Sequence, residues 1–133
     1  MSSQEDIALL IKTIQYRHHR RLDAALADLG ISLVQWNALR EIARNPGASM
    51  HALAEATFNS DQGFGTLAKR LLDAGLILRR QGNGRALTHD LTEEGRRLLD
   101  QGALRYKTTI DDAFRALSAE QLLDLQNALM KLT

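Results

Sequence analysis

Residues 49–91, SMHALAEATFNSDQGFGTLAKRLLDAGLILRRQGNGRALTHDL, decide the fold. Leu53, Ala54 and Ala56 open a short helical pattern, and Asn59, Ser60 and Asp61 interrupt it before a second helix begins. That second helix repeats Phe64, Leu67, Ala68 and Leu71, the i, i+3, i+4, i+7 spacing that lays one apolar stripe against a core. At about 100° per residue the opposite face carries Gln62, Thr66, Lys69 and Asp73, with Arg70 on a flank. Gly75 follows as a left-handed helix stop, Leu76, Ile77 and Leu78 read as a strand, and Arg79 and Arg80 stand at its end. Gln81 to Arg85 contain the Asn-Gly signal of a hairpin tip, and the return strand Ala86 to Leu91 alternates Leu87, His89, Leu91 against Ala86, Thr88, Asp90. Helix, turn, helix and a two-stranded wing is the order of a winged helix. Such a unit places its second helix in the DNA major groove and its wing tip along the backbone or in a minor groove.

Outward from this stretch the chain is helical. Ile7, Leu10, Ile11, Ile14, Leu22, Ala25, Leu26 and Leu29 repeat along a long helix over residues 4–29 that Gly30 ends. Ser32 and Gln35 occupy the two positions of a capping box, stapled by Ile31 and Trp36, and start a helix that Asn45, Pro46 and Gly47 break. Past the wing, Thr92 caps a helix with Glu93 and Glu94 in its first turn, where the helix dipole favours carboxylates. Leu99, Ala103, Tyr106, Ile110, Phe114 and Leu117 carry that helix on for about 25 residues at helical spacing. Ser118 with Gln121 forms a second capping box, and Leu122, Leu125, Leu129 and Leu132 stripe the last helix. The expected fold is mainly α with a small β wing. It reads as a single domain over 1–133, with a winged helix-turn-helix lobe at 32–95 and a helical dimerisation region at 1–30 and 96–133. Long terminal stripes need a partner, and a second copy of the chain is the economical one, whereas a hairpin packed on its own lobe would leave a monomer.

Composition narrows the chemistry. A chain of 133 residues with net charge +1 announces no global affinity for nucleic acid, so the signal lies in local clustering of Lys69, Arg70, Arg79, Arg80 and Arg85. The plain alternative for these five is a solvated surface. The absence of cysteine excludes disulfides, thiol redox sensing and Cys-ligated zinc. With no apolar leader, and no apolar run approaching about 18 residues, the expected location is the cytoplasm, with no membrane partner.

With these elements in this order the sequence resembles the MarR family, the multiple-antibiotic-resistance regulators, over nearly its whole length. Ser32 through Leu39, SLVQWNAL, is similar to the family's Leu-Thr-x-x-Gln-aromatic-x-x-Leu start of the second helix. Leu53-Ala54-Glu55 is similar to the Leu-Ala before the turn, and Arg70-Leu71 through Gly75-Leu76-Ile77 to the Arg-Leu-x-x-x-Gly-Leu-Val end of the recognition helix. Leu91-Thr92-Glu93-Glu94-Gly95 is similar to the Leu-Thr-x-x-Gly after the wing. Three departures stand out. The wing's usual Asp-x-Arg is Asn83-Gly84-Arg85, in a wing a few residues short. The turn glycine is Phe58. Gly63 and Gly65 occupy recognition-helix positions where the family prefers Ser, Thr or Val.

The resemblance implies a homodimeric, sequence-specific DNA-binding transcription regulator on a pseudo-palindromic operator, a repressor as is usual in the family and released by a small effector. Base contacts are expected from Gln62, Thr66 and Ser60, phosphate contacts from Lys69, Arg70, Arg79 and Arg80, and a minor-groove contact from Arg85. Relatives commonly hold a phenolic or carboxylate ligand where the dimer helices meet the DNA lobe. Tyr16, His18, His19, Trp36 and Arg40 are the candidates for it here, an aromatic wall with a cation suited to a small anion. The competing reading makes Trp36 core and the His/Arg run solvated or in contact with phosphates. A second function from another class is a winged-helix module that docks proteins without specific DNA binding.

Two motifs carry nothing further. Gly63-Phe64-Gly65-Thr66-Leu67-Ala68 matches the dinucleotide fingerprint G-x-G-x-x-A in letters only, because that chemistry needs a strand just before the first glycine and the residues here read as helix. His18, His19, His51 and His89 include no i, i+3 or i+4 pair and no cysteine to complete a metal site. No nucleophile, base and orienting acid cluster in the sequence, so no enzyme, cofactor or metal is expected.

Overall fold

The computed structural model describes residues 3–81 and 87–133. Six α-helices and one hairpin follow in the order α1 (Gln4–Leu26), α2 (Leu33–Arg44), α3 (Met50–Ala56), α4 (Asp61–Asp73), β1 (Ile77–Gln81), β2 (Leu87–Leu91), α5 (Glu93–Ala113) and α6 (Ala119–Met130). The expected fold, mainly α with a small β wing, is therefore the observed one. The helix expected over 4–29 leaves the α-form at Leu26 and finishes in one 3-10 turn, Ala27–Leu29, before Gly30 turns left-handed at φ 80°. Both capping boxes form reciprocally: Gln35 N–H donates to Ser32 Oγ at 3.1 Å while Ser32 N–H donates to Gln35 Oε1 at 3.0 Å, and Ser118 and Gln121 repeat the pattern.

The core gathers the faces that periodicity assigned to it. Phe64, Leu67, Ala68 and Leu71 of α4, Leu53 and Ala54 of α3, Trp36, Leu39 and Ile42 of α2, and Leu98 and Leu99 of α5 are all buried. Trp36 carries a polar atom into this core and satisfies it, its Nε1–H donating to the Leu99 carbonyl at 3.2 Å while its ring stacks on Tyr106 at 4.8 Å. Gly102 lies under that ring with no room for a Cβ. Here the expectation shifts by one position: Ala103, placed in the α5 stripe, is exposed, and Gly102 is the buried residue.

β1 and β2 pair antiparallel from Ile77 with Leu91 to Gln81 with Leu87. Arg79 and Arg80 therefore belong to the strand body and not to its end, and Gln81 closes the strand instead of belonging to the tip, because each has a partner across the hairpin. The Asn83-Gly84 signal and Arg85 lie outside the described residues. A junction fastens the hairpin to α5: Thr92 Oγ1 donates to the Gly75 carbonyl at 2.7 Å and accepts from Gly95 N–H at 3.0 Å, while Thr92 N–H donates to the Leu76 carbonyl at 3.0 Å.

The stripes of α1 and α6 are apolar faces that the single chain leaves largely uncovered. Ile7, Leu10, Ile11 and Ile14 on α1, Leu122, Leu125 and Leu129 on α6, and Leu132 in the turn just past it are all exposed. Among the described residues, no helix is long and apolar enough to cross a membrane.

Candidate nucleic-acid interface and ligand groove

α4 begins at a cap, Ser60, whose Oγ accepts from Gly63 N–H at 3.0 Å. The acceptor side of that hydroxyl is engaged, and its hydrogen remains free to donate. Gln62 and Thr66 lie on the outer face, as the spacing requires, both exposed. Thr66 Oγ1 donates to the Gln62 carbonyl at 3.2 Å, so it offers a partner its lone pairs and its methyl group. Gly65 has open space where a Cβ would go, while a Cβ on Gly63 would meet Ser60 Oγ at 3.1 Å. Substituting Gly65 by alanine is expected to raise stability by about 0.8–1 kcal/mol, the intrinsic helix preference with no packing cost. Urea melts of the two proteins would measure it, and unchanged or lower stability would mean that glycine is required there for a structural reason.

The cations differ in how free they are. Lys69 Nζ pairs with Asp73 Oδ2 at 3.2 Å and Arg80 Nε with Asp90 Oδ2 at 2.6 Å, both exposed pairs of the kind that add little to stability and yield readily to a phosphate. Arg79 Nε donates to His89 Nε2 at 3.3 Å. Arg70 is exposed and makes no ion pair among the described residues. Strand periodicity sends Arg79 and Arg80 to opposite faces of the hairpin, so the two together suit a ribbon flanked by charge on both sides, as in a nucleic-acid groove.

His51 on α3 bridges to the first turn of α4, with Nδ1 2.8 Å from Asp61 Oδ1 and Nε2 3.1 Å from Glu55 Oε1. The hydrogen bond and charge of Asp61, followed by the charge of Glu55, raise its pKa above the ordinary 6.5. The charged form is thus the one the fold favours: the clamp is complete below about pH 6.5 and is lost as pH rises through the raised value. Loss of that proton leaves two uncompensated carboxylates beside the N-terminus of α4. Affinity for DNA is therefore expected to weaken as pH rises from about 6.5 through the raised value at constant salt, and His51→Gln to flatten that change. His89 does not confuse the window, because burial, then the charge of Arg79, lower its pKa and keep it neutral above 6.5. Equal pH profiles for both proteins would remove His51 from the interface.

Of the five residues expected at a ligand site, the fold brings His18 and His19 into one groove and leaves Tyr16, Trp36 and Arg40 outside it. His18 and His19 line a groove of about 380 Å³ together with Ile11, Ile14, Leu22, Leu33 and Phe114, and Leu125 and Leu129 of α6 close it. His18 stacks at a tilt on Phe114, ring centroids 5.4 Å apart, and His19 Nε2 lies 3.2 Å from Asp23 Oδ2. Trp36 and Arg40 are not among the residues lining this groove: the Arg40 guanidinium lies 5.1 Å from the buried Trp36 ring and 5.8 Å from that of Tyr106. Tyr16 is exposed and accepts a hydrogen bond from Arg20 Nη1 at 3.2 Å. The core reading of Trp36 is thus the structural outcome, since its ring and its nitrogen are both used inside the protein. Phe114 was visible in the sequence only as a stripe residue, and its helical spacing gave no sign that it would face His18.

The glycine pattern at 63–68 lies within α4 and follows a helix and a turn, where the dinucleotide fingerprint would require a strand.

The comparisons with known proteins agree with this architecture. The sequence profile of the MarR family matches residues 29–86. The HTH-type transcriptional repressor Rv2887 of Mycobacterium tuberculosis is 30% identical over 113 residues, which is 84% of this chain and 81% of the relative. A crystal structure of M. tuberculosis Rv2887 with p-aminosalicylic acid superposes with a TM-score of 0.77 at 27% identity, covering 94% of this chain and 96% of that one. A mutant MarR from E. coli complexed with operator DNA superposes at a TM-score of 0.87 over 95% of this chain and 92% of that one, at 20% identity, a likeness of fold alone. Helix, turn, helix and wing in this geometry, together with a relative 30% identical over most of both chains, place the protein in the MarR family.

Proposed function

We propose that this MarR-family chain is a transcriptional repressor that binds a pseudo-palindromic operator as a homodimer. The observation that carries the reading is the face of α4 turned away from the core: Gln62, Thr66, Lys69 and Arg70 lie exposed there while Phe64, Leu67, Ala68 and Leu71 are buried behind them. Residues 32–95 form the DNA-binding lobe in this reading. Residues 1–30 and 96–133 form the dimerisation region, whose uncovered α1 and α6 stripes the second copy would bury. Ser60, Gln62 and Thr66 meet base edges, Lys69, Arg70, Arg79 and Arg80 hold phosphates, and Arg85 serves the wing tip.

The structures of Rv2887 with p-aminosalicylic acid and with DNA support an effector that is a small aromatic acid. The groove beside His18 and His19 has the size and the apolar wall for such a ring, with imidazoles to meet its carboxylate. A ligand bound there acts by preferring a dimer whose lobes are wrongly spaced for the operator.

Fluorescence anisotropy with a labelled duplex carrying the gene's own upstream intergenic region, competed with random duplex, tests the proposal. Saturable binding that survives the competitor and weakens on adding salicylate supports both parts. Binding that random duplex abolishes would leave a winged-helix module for protein docking.

A further inference from the structure

Phe58 is held in a conformation that does not suit it. Its φ is 59°, in the left-handed region that glycine enters freely and a side chain enters at a cost. The turn enforces this: Phe58 N–H donates to the Glu55 carbonyl at 3.1 Å, Asn59 N–H to the Ala54 carbonyl at 2.9 Å, and Thr57 Oγ1 to the Leu53 carbonyl at 2.7 Å. Its ring gives nothing back to the fold, being 97% exposed, the highest exposure among the large apolar side chains of the described residues. A lone exposed apolar residue needs no explanation, but an almost wholly exposed aromatic ring carried at a strain in a turn position that glycine would fill freely does.

The position supplies the explanation. Phe58 comes two residues before Ser60, the cap of α4, and so stands at the helix end whose residues enter the major groove, next to Ser60 and Gln62. The major groove offers an aromatic ring one apolar feature that distinguishes base pairs, the C5 methyl of thymine. We infer that Phe58 is a specificity-determining residue that packs its ring on a thymine methyl in each operator half-site. The inference rests on the DNA-binding reading above. A contact the size of one methylene contributes about fourfold in affinity, so two half-sites contribute about fifteenfold.

The test uses a duplex that the wild-type protein selects from a random pool, synthesised once with thymine and once with deoxyuridine throughout. Binding of the wild type, Phe58→Gly and Phe58→Leu is measured by anisotropy on both. The wild type is expected to lose about fifteenfold more than Phe58→Gly on going from thymine to deoxyuridine. Phe58→Gly should bind the thymine duplex about fifteenfold more weakly than the wild type, while Phe58→Leu keeps most of the affinity. Phe58→Gly should also melt at a higher temperature, which separates its loss of affinity from misfolding. Equal losses for wild type and Phe58→Gly on deoxyuridine, or equal affinities on thymine, would overturn the methyl contact. If the wild type selects no sequence from the pool, the DNA-binding reading fails and the inference falls with it.

Discussion

Affinity of the dimer for its operator is expected to fall by about 10⁴ when salt rises roughly fourfold, from about 50 to about 200 mM. Each phosphate neutralised by a side chain releases counterions, and log affinity falls against log salt with a slope of about −0.9 per contact. Lys69, Arg70, Arg79 and Arg80 give four contacts per protomer and eight for the dimer, hence a slope near −7. The pairs of Lys69 with Asp73 and Arg80 with Asp90 are exposed and weak, so phosphates should displace their carboxylates. If those pairs instead persist, only Arg70 and Arg79 count, and the slope should be about −4. Anisotropy titrations at four or five salt concentrations distinguish these values. A slope flatter than about −2 would remove the basic cluster from the interface. Asp73→Asn and Asp90→Asn, which free the two cations in advance, provide the internal control.

Replacing Gly95 by alanine is expected to cost about 3 kcal/mol or more and to lower the melting temperature by roughly 10 °C. A Cβ at that position would overlap the carbonyl oxygen of Leu76, which is backbone and already accepts from Thr92 N–H at 3.0 Å. A flexible side chain could move aside, but this carbonyl is fixed by the helix stop on one side and the hairpin on the other. The damage should extend past α5, because Thr92 ties the same junction to Gly75 at 2.7 Å. Thermal unfolding followed by circular dichroism measures the cost. A loss below about 0.5 kcal/mol would mean that helix and strand can separate without harm. Gly65→Ala is the matched control, the same substitution in open space and of opposite sign.

Gly95 also shows how much of the fold was legible. The Leu-Thr-x-x-Gly pattern at 91–95 could be seen as letters, yet the close approach that makes glycine necessary is a tertiary fact. What the sequence did carry was local: the Ser32 and Ser118 capping boxes, the Gly75 stop and the α4 stripe all depend on residues within a few positions of one another. What it concealed was non-local. Leu33 N–H donates to Asp23 Oδ1 at 2.6 Å, and Arg105 Nη1 to the Ala25 carbonyl at 3.1 Å, bonds that spacing cannot suggest. Gly102 escaped notice because a glycine in an apolar stripe carries no hydrophobic signal of its own. The ligand candidates scattered for a related reason. Residue type put Tyr16, His18, His19, Trp36 and Arg40 in one group, but their directions around α1 and α2 separate them. Trp36 was drawn inward, where its nitrogen finds the Leu99 carbonyl.

The groove beside His18 joins Ile11 and Ile14, near the start of the chain, to Leu125 and Leu129, near its end. During synthesis the winged lobe has all its residues available while the ribosome is still adding α6, and domains generally fold as their residues emerge. α1 must nevertheless wait until α6 has been added before the groove beside His18 has both its walls. For that interval the nascent protein is a DNA-reading head with an unfinished assembly arm. A message broken before α6 would release such a head with one wall of that groove missing, and without the α6 stripe that a second copy would cover.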